Sequence, residues 1–188
     1  LKDKADPAVL EHLRAENAYV QAAMAHTDDL RRALYDEMLG RIQEDDASAP
    51  YPRGPYRYYT RTVAGKAYAI HCRTLGDDGP EEVLLDENAL AEGHAYFHAD
   101  TVEVSPSHRY VAWLEDTDGA ERFVLRIRDT QTGEVLPHTV EGCKWSLAWI
   151  DDDTIVYTRA DDAQRPCAAF RHRIHGPSSA DEQLLHEP

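Results

Sequence analysis

Cysteine is scarce in this chain of 188 residues, and its three cysteines stand far apart. Cys72, Cys143 and Cys167 form neither the even, closely spaced set of a disulfide framework nor a Cys-x-x-Cys metal pair. This pattern is typical of free thiols in a reducing compartment. We therefore expect a cytoplasmic protein.

Long apolar runs and an excess of basic residues are also missing. No stretch approaches the roughly 20 apolar residues that a membrane-spanning helix needs, and we recognise no signal peptide. The 20 Lys and Arg residues stand against 35 Asp and Glu, which gives a formal net charge of −15. This charge repels nucleic acids and anionic membranes, so we expect neither as a partner and favour cationic substrates.

Motifs for nucleophilic catalysis and for phosphate or calcium binding are absent from the sequence. None of the serines stands in the GxSxG context of a nucleophile on a sharp strand-to-helix turn. The serines in question are Ser48, Ser105, Ser107, Ser146, Ser178 and Ser179. A glycine-rich phosphate loop and a DxDxDG calcium loop are missing too. We expect no catalytic residue, no cofactor and no metal site in this chain.

Two local patterns resemble functional sites but favour a structural interpretation. His94 and His98 have the spacing of two zinc ligands on one helix face, yet the glutamate of HExxH is missing and two ligands do not make a zinc site. Cys143 precedes Lys144, which would lower the pKa of a nearby thiol. We expect Cys143 to pack as a small apolar residue instead.

Acidic residues cluster at positions where the chain is expected to reverse. Asp stabilises turns because its side chain accepts local hydrogen bonds, so we interpret most of these clusters as hairpin tips. The clusters are Asp45 and Asp46, Asp77 and Asp78, Glu115 and Asp116, residues 151–153, and Asp161 and Asp162.

Two amphipathic helices are predicted before residue 50. Asp6 is placed as the N-cap of the first, with Pro7 at the first helical position. Thr27, Asp28 and Asp29 are placed as the cap and acidic first turn of the second. The apolar stripes are Leu10, Leu13, Val20 and Met24 in the first helix and Leu30, Leu34, Met38 and Ile42 in the second. Residues 1–49 should therefore form a helical arm whose stripes need a surface to bury against.

A strand-rich pattern follows and repeats three times, over residues 56–86, 109–137 and 153–186. Each repeat has an aromatic-rich strand, a polar turn, a strand with Arg or His, a second turn and a short third strand. Successive repeats lie about 44 to 55 residues apart, which is the spacing of propeller blades. The matching positions are Tyr58, Val111 and Ile155 in the first strand, His71, Arg126 and Arg171 in the second, and Val83, Val135 and Leu184 in the third.

A further short strand is predicted ahead of the second and third repeats, at residues 101–104 and 146–150. The fold is therefore predicted to be mainly β. It is an incomplete β-propeller of about three four-stranded blades over residues 50–188, preceded by the α-helical arm. An antiparallel sandwich, whose strands are similarly spaced, is the alternative.

Three blades cannot close a ring, because closed propellers have about four to eight blades. The chain also begins with Leu1 rather than methionine. We therefore expect a piece of a longer protein. Self-association through open blade edges is the alternative outcome for an unclosed stack.

Several motifs together resemble a known family. In chain order they are ENAYVQAAMAH (16–26), YRYYTRTVAGKAYAIHCR (56–73), LLDENALAEGH (84–94), EVSPSHRYVAW (103–113) and FRHRIHG (170–176). This series resembles the N-terminal part of the oligopeptidase B (protease II) group in the prolyl oligopeptidase family of serine peptidases. The resemblance extends over nearly the whole chain.

The resemblance implies a seven-bladed propeller attached to a C-terminal α/β-hydrolase domain, against which the helical arm packs. It also implies cleavage of short peptides after Arg or Lys, with the propeller limiting substrate size. The family's Ser, Asp and His lie in the hydrolase domain, so no catalytic residue is carried over and the chain alone should be inactive. The alternative function is a stand-alone, propeller-like binding module without hydrolase activity.

Overall fold

A computed structural model describes residues 5–187. Residues 1–4 and Pro188, the outer ends of the two predicted regions, lie outside the described residues. The chain divides into two compact units, with the division between Glu44 and Asp45. The domain division at residue 49 itself stays a prediction.

The first unit is helical, as predicted. It contains α1 (Pro7–Met24), a 3₁₀ turn (Ala25–Thr27) and α2 (Asp28–Leu39). Asp6 caps α1, because its carboxylate accepts a hydrogen bond of 2.9 Å from the Ala8 backbone N–H. Thr27 precedes α2 but does not cap it with its side chain, because its hydroxyl donates back to the Met24 carbonyl at 2.7 Å.

The apolar stripes of both helices are exposed. Neither α1 nor α2 contains a buried residue, and Leu30, Met38 and Ile42 each expose more than 60% of their surface. No helix among residues 5–187 is both long and apolar enough to cross a membrane.

The first sheet is a four-stranded antiparallel meander that forms the first blade. Its strands are β1 (Tyr51–Arg53), β2 (Tyr56–Arg61), β3 (Ile70–Leu75) and β4 (Glu82–Asp86), in that order across the sheet. The short helix α3 (Glu87–Leu90) follows and is capped by the Asp86 carboxylate. The sequence did not predict β1, because Pro52 interrupts it. An edge strand tolerates the proline, since only one side of β1 is paired.

The second sheet contains seven antiparallel strands that neighbour one another in chain order. They are β5 (His98–Val104), β6 (Tyr110–Asp116), β7 (Phe123–Asp129), β8 (Val140–Asp151), β9 (Thr154–Ala160), β10 (Pro166–Arg173) and β11 (Glu182–His186). We call β5 to β7 with the start of β8 the second blade, and the rest of β8 with β9 to β11 the third.

Strand β8 belongs to both blades. Its Val140 and Cys143 pair with β7, and Cys143 pairs with β9 as well, as do residues in the stretch from Leu147 to Asp151. The β7–β8 register shifts between Val140 and Cys143, where Gly142 has a φ of 73°, as in a β-bulge. One continuous strand thus passes from the outer edge of one blade to the start of the next.

The threefold repeat is confirmed by the strand assignments. Tyr58, Val111 and Ile155 are buried in β2, β6 and β9. The matching positions of the second and third predicted strands also lie in strands, with one exception. Val135 lies in no strand and forms only an isolated bridge with Arg128. The strand paired with the outer side of β7 is the start of β8 instead.

The core shows that the blades stack face to face. Strand β6 is buried on both faces, so the second blade is an inner layer. On one face, Val111 and Trp113 pack against the first blade. On the other, Ala112 and Leu114 pack against the third. A sandwich has two layers and one core, whereas residues 45–187 form three layers and two cores. The propeller prediction is therefore confirmed, and the ring is not closed.

Candidate functional site

The structure separates the two histidines that have zinc-like spacing. His94 lies in a loop after α3, where its ring packs near Phe97, and His98 begins β5. The two side chains therefore do not share a helix face. Across residues 5–187, no group of three or more His, Cys, Asp or Glu side chains is placed to hold a metal ion.

The serines are used in turns and strand contacts. The Ser48 hydroxyl accepts the Thr60 backbone N–H at 2.9 Å, and the buried Ser105 hydroxyl accepts the Tyr110 N–H at 3.1 Å. Ser178 begins a 3₁₀ turn. Within the described part of the chain, no serine hydroxyl is hydrogen-bonded to a histidine ring, so no nucleophile and base are paired there.

Cys143 is a structural cysteine, as predicted. Its side chain is fully buried, and its Sγ lies 3.4 Å from the Val140 carbonyl oxygen. Burial raises the pKa of the thiol to about 12. The ammonium of Lys144 does not activate it, because Nζ donates to the Glu121 carbonyl on a neighbouring turn.

Three of the acidic clusters stabilise turns, as predicted, because Asp116, Asp151 and Asp161 each accept a backbone N–H from two residues further on. The Asp116 carboxylate accepts three backbone N–H groups, from Asp118, Gly119 and Glu121, each at 2.9 Å. Burial of Asp116 opposes ionisation, but these hydrogen bonds outweigh it and lower its pKa. Its charge therefore holds the β6–β7 turn.

A polar cluster that the sequence did not predict joins the first two blades. Arg73 pairs through two hydrogen bonds with Glu82, at 2.8 and 2.9 Å, and also donates to the His108 carbonyl. Its guanidinium lies 4.2 Å from the Tyr56 ring centroid. The Tyr58 hydroxyl and His108 Nδ1 are 2.8 Å apart. Five side chains from two blades thus form one connected network, which we call the first junction.

The electrostatics of the first junction favour a neutral imidazole. Burial lowers the pKa of His108, and the positive charges of Arg53 and Arg73 lower it further. The adjoining cavity, between β2, β3 and β5, has a volume of about 220 Å³. This is below the range of about 300–1,000 Å³ that is usual for small-molecule sites. The junction therefore fixes one blade against the next.

A second buried cluster lies within the third blade. The Asp181 carboxylate accepts the Tyr157 hydroxyl at 2.9 Å and lies 2.7 Å from His172 Nδ1. Burial raises the pKa of Tyr157, and its bond to Asp181 raises it further, so the phenol stays protonated. His172 is fully buried, and its Nε2 has no hydrogen-bond partner among residues 5–187. A histidine and an aspartate are thus paired, but with a phenol rather than a nucleophilic serine.

A sequence signal for these clusters exists in retrospect. Tyr157 shares the inward face of β9 with the buried Ile155, and His172, paired with Ile155, is the one buried residue of β10. A polar side chain at an inward strand position needs a buried partner. The sequence does not reveal that partner, because Asp181 lies in the irregular β10–β11 connection, nine residues after His172.

Comparisons with known proteins agree with this architecture. A family model described as "Prolyl oligopeptidase, N-terminal beta-propeller domain" matches residues 1–188. The chain is 36% identical to dipeptidyl aminopeptidase BI of Pseudoxanthomonas mexicana, covering 95% of this chain and 27% of that protein. It is 33% identical to protease 2 of Moraxella lacunata, covering 100% of this chain and 28% of that protein.

A solved structure is similar as well. Oligopeptidase B from Leishmania major superposes with a TM-score of 0.93 at 36% identity, covering 100% of this chain and 27% of that one. The chain therefore spans little more than a quarter of the length of the relatives it matches.

Proposed function

The chain belongs to the prolyl oligopeptidase family, as part of its N-terminal β-propeller domain, and from this premise we propose that the whole protein is a cytoplasmic serine oligopeptidase. It cleaves short peptides after Arg or Lys. The observation that carries the proposal is the family match over residues 1–188, together with 33% identity to a protein named protease 2.

The 188 residues supply the opening blades and no catalytic group. In the proposed enzyme they wall the substrate chamber, and the attached hydrolase domain provides the serine, histidine and aspartate. The net charge of −15 supports cationic peptides as substrates. The three free cysteines, Cys72 and Cys143 being buried, support a reducing location.

The test is turnover of fluorogenic peptides by the whole natural protein. We expect cleavage of amino-terminally blocked peptides that have Arg or Lys before the fluorescent reporter. A matched peptide with Pro at that position should not be cleaved. The 188-residue chain, purified identically, should give no turnover. Because one relative is named dipeptidyl aminopeptidase BI, peptides with free amino termini form a second arm. Cleavage confined to that arm would replace the oligopeptidase proposal with an aminopeptidase.

The length of the natural open reading frame distinguishes the oligopeptidase from the alternative, a stand-alone binding module. We expect further blades and a GxSxG serine after residue 188. A natural protein that ends near residue 188, binds peptides and does not cleave them would be a binding module instead.

A further inference from the structure

A groove of about 520 Å³ lies on the surface where the second blade meets the third. Its volume falls within the range of ligand sites, unlike that of the cavity at the first junction. The lining residues are Asp118, Arg122, Val124, Glu141, Gly142 and Arg159. They come from the β6–β7 turn and from the ends of β7, β8 and β9. We call it the Arg159 groove.

Arg159 is held in place by aromatic rings and lacks a carboxylate. Its guanidinium carbon lies 5.4 Å from the Tyr157 ring centroid and 4.9 Å from that of Phe170. Its Nε is buried and has no hydrogen-bond partner within the described part of the chain. Most arginines of the described part pair with Asp or Glu, but Arg159 forms no such ion pair among residues 5–187.

A guanidinium without a carboxylate partner favours an anionic ligand. Leaving the buried Nε–H of Arg159 unpaired is costly. The planar fork of Arg also matches the two oxygens of a carboxylate. The two rings restrict the side chain, so little conformational freedom remains to be lost when a ligand binds. The geometry is therefore prepared for a carboxylate.

A second cation contacts the β6–β7 turn, which also contributes Asp118 to the groove lining. Lys144 is 2% exposed, its Nζ donates to the Glu121 carbonyl in the β6–β7 turn, and it lies 4.7 Å from the Trp145 ring centroid. It too forms no ion pair within the described residues. The chain carries a net charge of −15, so a carboxylate ligand needs such a local positive field.

We propose that the Arg159 groove binds the α-carboxylate of a peptide substrate. This rests on the proposed function, which supplies the peptide. A peptide has one α-carboxylate, at its C-terminal end, so a site for this group recognises the end of the substrate. Such a site favours short peptides with a free C terminus over internal segments of long chains.

The experiment compares peptides that differ only at the C terminus. The whole natural protein is titrated with fluorescently labelled tetrapeptides that end either in a free carboxylate or in a carboxamide. Anisotropy reports binding, and kcat/KM is measured separately on the same pair. We expect the acid to bind about ten- to a hundredfold more tightly than the amide, as for a charge-assisted hydrogen bond.

Three variants assign the preference to the groove. Arg159→Met should abolish the acid preference. Arg159→Lys should retain part of it, because the charge remains but the planar fork is lost. Glu141→Gln, at an exposed position, should tighten acid binding about two- to fivefold, as for removal of one exposed like charge. Arg173→Met is the matched control: it removes the same charge from an exposed position of the third blade and should retain the full preference.

Each outcome decides the proposal. A wild-type protein without acid preference, or an acid preference that survives Arg159→Met, overturns it. If the Arg159→Met protein does not fold, the wild-type comparison and Glu141→Gln still decide. If a carboxylate from another segment of the protein fills the groove instead, the wild type will show no preference for the acid. An Arg159-dependent preference without turnover upholds the groove but refutes the peptidase, whereas turnover without preference does the reverse.

Discussion

Single carboxylates connect the strands and turns of these blades. Asp129 ends β7, and its Oδ2 accepts hydrogen bonds from Arg109 at 2.7 and 3.1 Å. Its other oxygen accepts the Gln131 N–H at 2.9 Å in the following turn. The hydrogen-bonded guanidinium of Arg109 lowers the pKa of Asp129 against the opposing effect of burial. Part of the large negative charge therefore stabilises the fold.

This pairing predicts a pH-dependent contribution to stability. The native pKa of Asp129 is lowered below its unfolded value of about 3.9. Its contribution is therefore present above pH ~4 and is lost as the pH falls through the native pKa. We expect Asp129→Asn to lower the free energy of unfolding by about 1–3 kcal/mol at pH 7, and the difference to shrink below pH ~4. Urea unfolding at several pH values measures it.

Asp77→Asn provides the control. Asp77 pairs with Arg57 at 2.8 Å, but its side chain is 76% exposed. An exposed pair contributes little, so this variant should stay within about 0.5 kcal/mol of the wild type. An Asp129→Asn loss of equal size at every pH would contradict the assignment.

At the scale of elements, tight turns place one blade against its neighbour. Gly54, in the β1–β2 turn, has a φ of 56°. A Cβ at this position would lie 2.5 Å from Nε2 of His108. The His108 ring has little room to move, because Nδ1 is bonded to the Tyr58 hydroxyl and the ring packs 5.2 Å from that of Tyr56. The β1–β2 turn is therefore fitted to the second blade.

Two glycine variants separate backbone strain from this contact. Gly76 has a φ of 64°, and a Cβ there would meet nothing within 4 Å. Gly76→Ala should cost about 1 kcal/mol, from backbone strain alone. Gly54→Ala should cost about 2–4 kcal/mol, because a steric clash is added. Urea unfolding of both variants measures the difference. Equal losses of stability in the two variants would show that the His108 side chain moves away from the added Cβ at no cost in free energy.

At the scale of the whole molecule, the third blade ends in a strand with one open edge. Among residues 5–187, β11 pairs with β10 alone, and all five of its residues are exposed. Leu184 and Leu185 expose 48% and 61% of their surface. Open strand edges with apolar side chains favour pairing with another chain.

We predict that the 188-residue chain self-associates through this edge. Sedimentation velocity should show a larger species whose fraction rises with concentration, and Leu185→Lys should reduce it at least severalfold, because a charged edge resists pairing. Leu75→Lys is the control, since Leu75 is 60% exposed but lies in β3, between two paired strands. A monomer at every concentration would refute the prediction.

The sequence by itself determined the pieces of this protein. Asp6 and Pro7 specify the start of α1 through local hydrogen bonding, and the strand at Tyr58 follows from alternation and β-propensity. The repeat spacing predicted the blades, since each is a local meander that recurs. The family motifs pointed to the same architecture.

Only the tertiary structure determined how these elements contact one another. It showed that β8 serves two blades, that Asp181 meets Tyr157 and His172 across a turn, and that Arg159 stands without a carboxylate over two rings. Turns and periodicity depend on neighbours along the chain, so a sequence displays them. Pairing between distant side chains depends on how the blades pack, and only the folded chain brings those atoms together.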